Sequence, residues 1–259
     1  MSNYWAERMA ASQTEISNKK IKQIERQMAR YYGIAAKRVI EDFEATHNKL
    51  LATVGDGKQP TPADLYKLDK YWQMQGQMRQ ELRKLGEKQV SLLTKQFEIE
   101  FFDIYYSIDI AGATAFSTVD EAAVAHLLNA VWVADGKSWS QRIWDNTDLL
   151  ADTLNQGLIH CVATGKKTTE LKNLLQDGFG VSYSRADALV RTEIAHIQTQ
   201  AANQRYKDYG IQEMEVWADP DERTCEICGA LHQKRYQVGA QLPIPAHPRC
   251  RCCVIPVVE

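Results

Sequence analysis

The sequence predicts a mainly α protein: a long N-terminal helical arm, a helical body, and a small β-rich module at the C-terminal end. Three observations carry that expectation. Apolar residues recur at helical spacing through most of the first 210 positions. Glycines and N-cap residues punctuate the pattern at intervals that suit helices. At Ile211 the pattern changes to short alternating segments, and five of the six cysteines fall within the last 35 residues.

The first fifty residues read as one helix. Ile21, Ile24, Met28, Tyr31, Ala35, Val39, Phe43 and Leu50 make a single apolar stripe, with Lys and Arg on the other faces. Too little apolar surface precedes residue 60 for an independent core, so the arm is expected to pack on another helix or on a partner. Val54 to Pro60 is a loop by composition. Thr61-Pro62-Ala63-Asp64 then supplies the cap, the first-position proline and the first-turn acid of a helix start. That helical pattern continues to about Ser107, with a bend expected near Gly76 or Gly86. Its aromatic run, Phe97, Phe101, Phe102, Tyr105 and Tyr106, reads as core.

A break falls near Gly112. Ser117 or Thr118 can cap a helix running to about Ala134. Ser138 and Gln141 offer a capping box for the next one, which carries Trp139, Ile143, Leu150, Leu154, Leu158 and Cys161 on one side and stops at Gly165. Thr169 to Gln176 reads as a short helix stopped by Gly178. Ser182 or Ser184 opens a long helix that ends at Tyr209-Gly210. Met214 to Trp217, Arg235 to Val238 and Cys253 to Val258 read as strands. Three segments follow: a long-helix arm or hairpin at 1–115, a helical body at 116–210 and a β-rich module at 211–259.

Composition narrows the function. Of 259 residues, 44% are hydrophobic and 25% charged, an ordinary balance for a folded chain. No apolar run is long enough to cross a membrane, and Met1-Ser2-Asn3-Tyr4-Trp5 begins no apolar signal core. Assembly in a cytoplasm, with no membrane partner, is the expectation. The net charge of −2 argues against a dominant electrostatic grip on nucleic acid. No Gly-rich phosphate loop, G-x-S-x-G or H-E-x-x-H motif occurs, and no small-molecule substrate is expected.

The cysteines carry the chemistry. Cys225-Glu226-Ile227-Cys228 is a C-x-x-C knuckle, a spacing that brings two thiolates to one tetrahedral ion. His247-Pro248-Arg249-Cys250-Arg251-Cys252-Cys253 follows about twenty residues on. Cys225, Cys228, His247 and Cys250 are the favoured zinc ligands, and Cys252 competes with Cys250 for the fourth place. Such a shell is closed to a catalytic water. The ion's expected role is to staple a module too small to be secure without one. Paired disulfides are the alternative. A thioredoxin-like site lacks its βαβ context, and a zinc deaminase lacks its His-x-Glu signature.

Lesser features are given plainer readings. Glu193-x-x-His196 matches half of a di-iron motif without a second copy and reads as a polar helix face. His126 and His160 read as satisfied structural histidines. Asp219 to Glu222 reads as a turn. Lys234, Arg235, Arg249 and Arg251 form a small basic patch that offsets the thiolates.

The order of residues resembles a known family. Arg191-Thr192-Glu193, Gln200-Ala201, Tyr206, Tyr209-Gly210-Ile211, Trp217, Asp221, Thr224-Cys225-x-x-Cys228 and His247-Pro248-x-Cys250-Arg251-Cys252 resemble the phage Mu F-like, head-morphogenesis family of minor head proteins over about residues 139–256. The Tyr4-Trp5 start and long arm are similar to minor head proteins of phages of Gram-positive bacteria. Cys253 departs from the pattern. The resemblance implies a non-enzymatic component of the virion, near the portal, with the portal and other head proteins as partners and packaged DNA as a further contact. It supports Cys225, Cys228, His247, Cys250 and Cys252 as the zinc region and marks Arg191 and Glu193 as a helix motif, here expected to hold the last helix against the module by a salt bridge. Some relatives add a toxin domain after this block, for which the chain up to Glu259 has no room. A zinc-dependent nucleic-acid-binding module and a metal-dependent nuclease are the competing expectations.

Overall fold

The structure is a computed structural model. It describes residues 3–55, 58–110, 119–218 and 222–258, with the side chains of 3–6 outside the description. Seven helices and three strands occupy the described chain: α1 (Asn3–Val54), α2 (Pro62–Tyr66), α3 (Asp69–Ser107), α4 (Glu121–Leu128), α5 (Trp139–Ala163), α6 (Thr168–Asp208), β1 (Glu213–Trp217), α7 (Glu226–Leu231), β2 (Arg235–Gln237) and β3 (Cys253–Pro256). The expected mainly helical chain with a small C-terminal sheet is what forms. No helix is long and apolar enough to cross a membrane, among the described residues.

The chain divides into two compact units. One takes Met1–Glu25, Leu92–Trp139 and Asp187–Glu259; the other takes Arg26–Ser91 and Ser140–Ala186.

In the first unit a three-stranded antiparallel sheet has the order β2-β1-β3, with Met214 opposite both Tyr236 and Pro256. The early part of α1 packs on this sheet. Ala10 joins Trp217, Cys253 and Ile255 in one apolar cluster. Gln13 donates to Tyr206 Oη (3.3 Å) and to the Val254 carbonyl (3.4 Å), which also accepts from Tyr206 Oη at 2.9 Å. The arm is therefore no detached element. Its stripe is buried at Ile21, Ile24, Met28, Ala35, Val39, Phe43 and Leu50, with Tyr32 taking the core place expected of Tyr31. Of the two expectations for the stripe, packing within the chain or on a partner, the first is what forms. Phe97, Phe101 and Tyr105 are core as expected, whereas Tyr106 is 59% exposed.

In the second unit α2 starts as read, with a capping box between Thr61 and Asp64. The helix then breaks at Lys67-Leu68 rather than bending near Gly76 or Gly86, and α3 is continuous through both glycines. Gly86 is small for another reason: a Cβ there would sit 2.5 Å from the Trp144 ring. Nor does α6 stop at Gly178. It runs unbroken from Thr168, because Gly178 lies against Leu154, where a Cβ would come within 3.3 Å. The Ser182 carbonyl accepts from Asn146 Nδ2 at 2.9 Å, so that serine is a packing contact and no cap.

Two glycine stops are borne out. Gly165 and Gly210 have φ of +65° and +71°. Each helix closes with paired bonds: Lys166 N–H to Cys161 O and Gly165 N–H to Val162 O after α5, Ile211 N–H to Tyr206 O and Gly210 N–H to Lys207 O after α6. This is the glycine-terminated helix end that only a left-handed residue allows. α4 is capped by Asp120 and ends at Leu128, short of Ala134. Ser117 and Thr118, the Gly112 break, the Tyr4-Trp5 side chains and Asp219 to Asp221 lie outside the described residues.

Candidate metal centre

The knuckle is built on a short helix that sequence periodicity did not reveal. Cys225 is the N-cap of α7, and its Sγ accepts from Cys228 N–H at 3.4 Å. The helix turn then brings the two sulfurs to one side. The other end of α7 is tied down by His232, whose Nδ1 accepts from Ala218 N–H at 3.2 Å and whose ring meets Trp217 edge-on at 4.8 Å. The knuckle thus hangs from the end of β1.

The second ligand segment is a turn closed by Cys250 N–H to His247 O at 3.1 Å. His247 Nδ1 lies 2.9 Å from the Pro248 carbonyl. A carbonyl only accepts, so that nitrogen carries the proton and Nε2 presents its lone pair to the sulfurs. Nε2 stands 3.2 Å from Cys225 Sγ and 3.1 Å from Cys228 Sγ, and Cys228 Sγ stands 3.7 Å from Cys250 Sγ. Two triads result, Cys225–Cys228–His247 and Cys228–Cys250–Cys252, each with its ligand atoms within 4.8 Å of one another. Cys228 belongs to both.

The Cys228–Cys250 edge fits a tetrahedral ion, whereas the two Nε2–sulfur distances fall short of the roughly 3.6 Å that such a site sets. A Zn–S bond of about 2.3 Å gives a sulfur–sulfur edge of about 3.8 Å, against 3.7 Å for Cys228 and Cys250. It is far longer than a disulfide of about 2.05 Å, and all six cysteines are free thiols. The five donors fall into two overlapping triads rather than one shell of four, and both Cys250 and Cys252 reach Cys228. Cys253 does not join them. It is 1% exposed and sits in the apolar cluster under Ala10. A cavity of about 40 Å³ opens beside Cys225, Cys228, His247 and Cys252.

The thiols of the cluster divide between the charged and the neutral form. The Cys228 amide bond holds the Cys225 thiol below its ordinary range. A hydrogen bond from Cys252 pulls Cys250 down to about 5 and pushes Cys252 up in return. Burial raises Cys228 to about 12. The sulfurs thus share protons that an ion would displace.

Charged residues beside the site are largely committed. Arg249 pairs with Asp187 at 2.9 Å, and Arg235 lies 3.9 Å from Glu213 and 3.6 Å from Glu215. The basic patch read from Lys234, Arg235, Arg249 and Arg251 is therefore neutralised at two of its four members by acids from β1 and α6.

The α6 motif differs from its expectation. Asp187, one turn before Arg191, makes an ion pair to the module through Arg249. Arg191 pairs with Asp187 and Glu25, which joins α6 to α1. Glu193 is 3% exposed and accepts from Trp132 Nε1 at 3.0 Å, while His196 stacks on the Trp132 ring at 4.2 Å. The Glu193/His196 pair is thus packed against an indole, and the polar-face reading was wrong. His126 and His160 are exposed rather than satisfied in a core. The sequence reading missed His232, Asp187 and Trp132, and named Thr192 only as part of the Arg191-Thr192-Glu193 motif. Trp132 fell inside the helix expected to run to about Ala134.

Fold and site together define a helical protein closed by a thiolate–imidazole cluster on a small antiparallel sheet. Residues 152–255 match the family described as Phage Mu protein F like protein. The chain is also 26% identical over 185 residues to the NAD(+)–arginine ADP-ribosyltransferase EFV of Enterococcus faecalis. The match covers 64% of this chain and spans only 38% of that relative's length. No solved structure matches the chain.

Proposed function

We propose that the chain is a minor head protein of a tailed bacteriophage, a non-enzymatic part of head morphogenesis near the portal, whose 211–259 module is stapled by one zinc ion. The observation that carries the reading is the phage Mu F-like block together with a donor set rich in thiolate. A donor set of four cysteines and one histidine, with no carboxylate among them, favours a structural ion over a nuclease centre. Zinc is held by Cys225, Cys228 and His247 with Cys250 or Cys252 in the fourth place. When bound, it fixes the knuckle to the 247–252 turn. The partners are the portal and other head proteins, with packaged DNA as a further contact, and the finished location is the virion. The arginine-modifying activity in the relative's name belongs to a protein of which this chain spans a minor part, and we do not extend it to this chain. The pairing of Arg235 and Arg249 weighs against the nucleic-acid-binding alternative.

Two measurements test the reading. Metal analysis of the purified chain is expected to find one zinc, lost in Cys225→Ser. Fractionated heads are expected to contain the chain in few copies together with portal. A chain absent from purified heads overturns the virion role, and full zinc in Cys225→Ser overturns the ligand set.

A further inference from the structure

We infer that Asp187 and Thr192 of α6 are positioning residues for the metal-bearing turn, holding Arg249 so that His247 and Cys250, on either side of it, face the cluster. The inference rests on the zinc reading above. It assigns a task to the helix motif, and in particular to its central threonine.

Three observations converge on Arg249. Its backbone N–H donates to Thr192 Oγ1 at 3.1 Å. Its guanidinium meets Asp187 Oδ2 at 2.9 Å, and that carboxylate is only 13% exposed. Its φ is +63°, in the left-handed region that L residues rarely adopt, at the third position of the turn that Cys250 N–H closes on His247 O. The turn's own bond is thus joined by two contacts from α6.

The Thr192 hydroxyl suits a clamp. It donates to the Ala188 carbonyl at 2.6 Å, which aims its lone pair outward at the Arg249 amide. Asp187, one turn earlier, accepts from Arg249 and from Arg191 Nε at 3.3 Å. Arg191 in turn pairs with Glu25. The clamp is therefore anchored on α1 as well as on α6. The residue it grips lies two places from His247 and one from Cys250, so a shift of Arg249 moves both donors. Residues that orient metal ligands in this way typically change metal affinity about 10- to 100-fold when removed.

The test uses the full chain loaded with zinc, and follows release to a chromogenic chelator beside far-UV dichroism. Thr192→Val and Asp187→Asn are each expected to release zinc about ten-fold faster than wild type with unchanged helicity. Thr192→Ser, which keeps both hydrogen bonds, is expected to restore the wild-type rate. Thr199→Val is the control, because the Thr199 hydroxyl bonds the Ala195 carbonyl of its own helix; it is expected to leave release unchanged. Wild-type release from both Thr192→Val and Asp187→Asn overturns the clamp while the zinc reading stands. Equal acceleration in Thr199→Val also overturns it, since the effect is then general weakening of α6. If Thr192→Val loses helicity, Asp187→Asn decides. A wild-type chain that binds no zinc defeats the zinc reading itself, and the clamp with it.

Discussion

Glu100 sits fully buried on α3, where Ser17 Oγ donates to one carboxyl oxygen and the other has no partner. Gln96, one turn earlier, has an unpartnered carbonyl oxygen as well. Both sites call for a hydrogen, and a protonated Glu100 carries one. Burial pushes its pKa from 4.5 to about 7; Ser17 and Lys20 work against the rise, and Asp103 adds to it. Below pH 4.5 folded and unfolded states are both protonated. From 4.5 to about 7 only the unfolded state ionises, so stability falls as pH rises, by about 3 kcal/mol in all. His196 acts oppositely. Burial lowers its pKa from 6.5 to about 4, so its contribution is lost as pH falls through that range. The two slopes offset between pH 4.5 and 6.5, and the raw profile hides both. Denaturant titrations of Glu100→Gln and wild type are expected to agree at pH 4.5, with the variant gaining up to about 3 kcal/mol by pH 8; a constant difference across that range refutes the buried-acid account. At the same scale, Cys253→Ala is expected to keep full zinc by metal analysis at a stability loss of about 1 kcal/mol, because its thiol packs under Ala10 and takes no part in the cluster. Loss of the ion in that variant means Cys253 is a ligand.

At the scale of elements, glycine serves two purposes that look alike in a sequence. Gly165 and Gly210 end helices because they adopt positive φ. Gly86 and Gly178 lie inside helices because another side chain needs the space. Gly76 does neither: a Cβ there meets nothing within 4 Å. Gly76→Ala is expected to stabilise the protein by about 0.5–1 kcal/mol through helix propensity, and Gly86→Ala to destabilise it by about 1–3 kcal/mol through overpacking on Trp144. Thermal midpoints that move together refute the distinction. The same ambiguity decided what was legible. Periodicity gave the long helices and the strand segments, and the C-x-x-C and His247–Cys252 spacings gave every donor that meets in the cluster. The division of α6 at Gly178 failed because burial against α5 is a tertiary fact. α7 was missed because six residues hold too little period to detect. Asp187 and Trp132 were missed because their partners lie far away in the chain: 62 residues separate Asp187 from Arg249, and 61 separate Trp132 from Glu193.

At the scale of the molecule, the first turns of α1 belong to the same core as the C-terminal module. Ala10 and Gln13 touch Trp217, Tyr206 and Val254, and Ser17 serves Glu100. Removing residues 1–17 is therefore expected to lower the thermal midpoint and to speed hydrogen exchange at β1 amides. Unchanged exchange in β1 means the module stands without the arm. That shared core also sets a timetable for biosynthesis. Gln13 emerges early, but its acceptor at Val254 is made 241 residues later. At about 5–20 residues per second the newborn helix waits roughly ten to fifty seconds with its oily face unmatched. Throughout that interval it depends on the intervening helices, or on a chaperone, to stay out of aggregates.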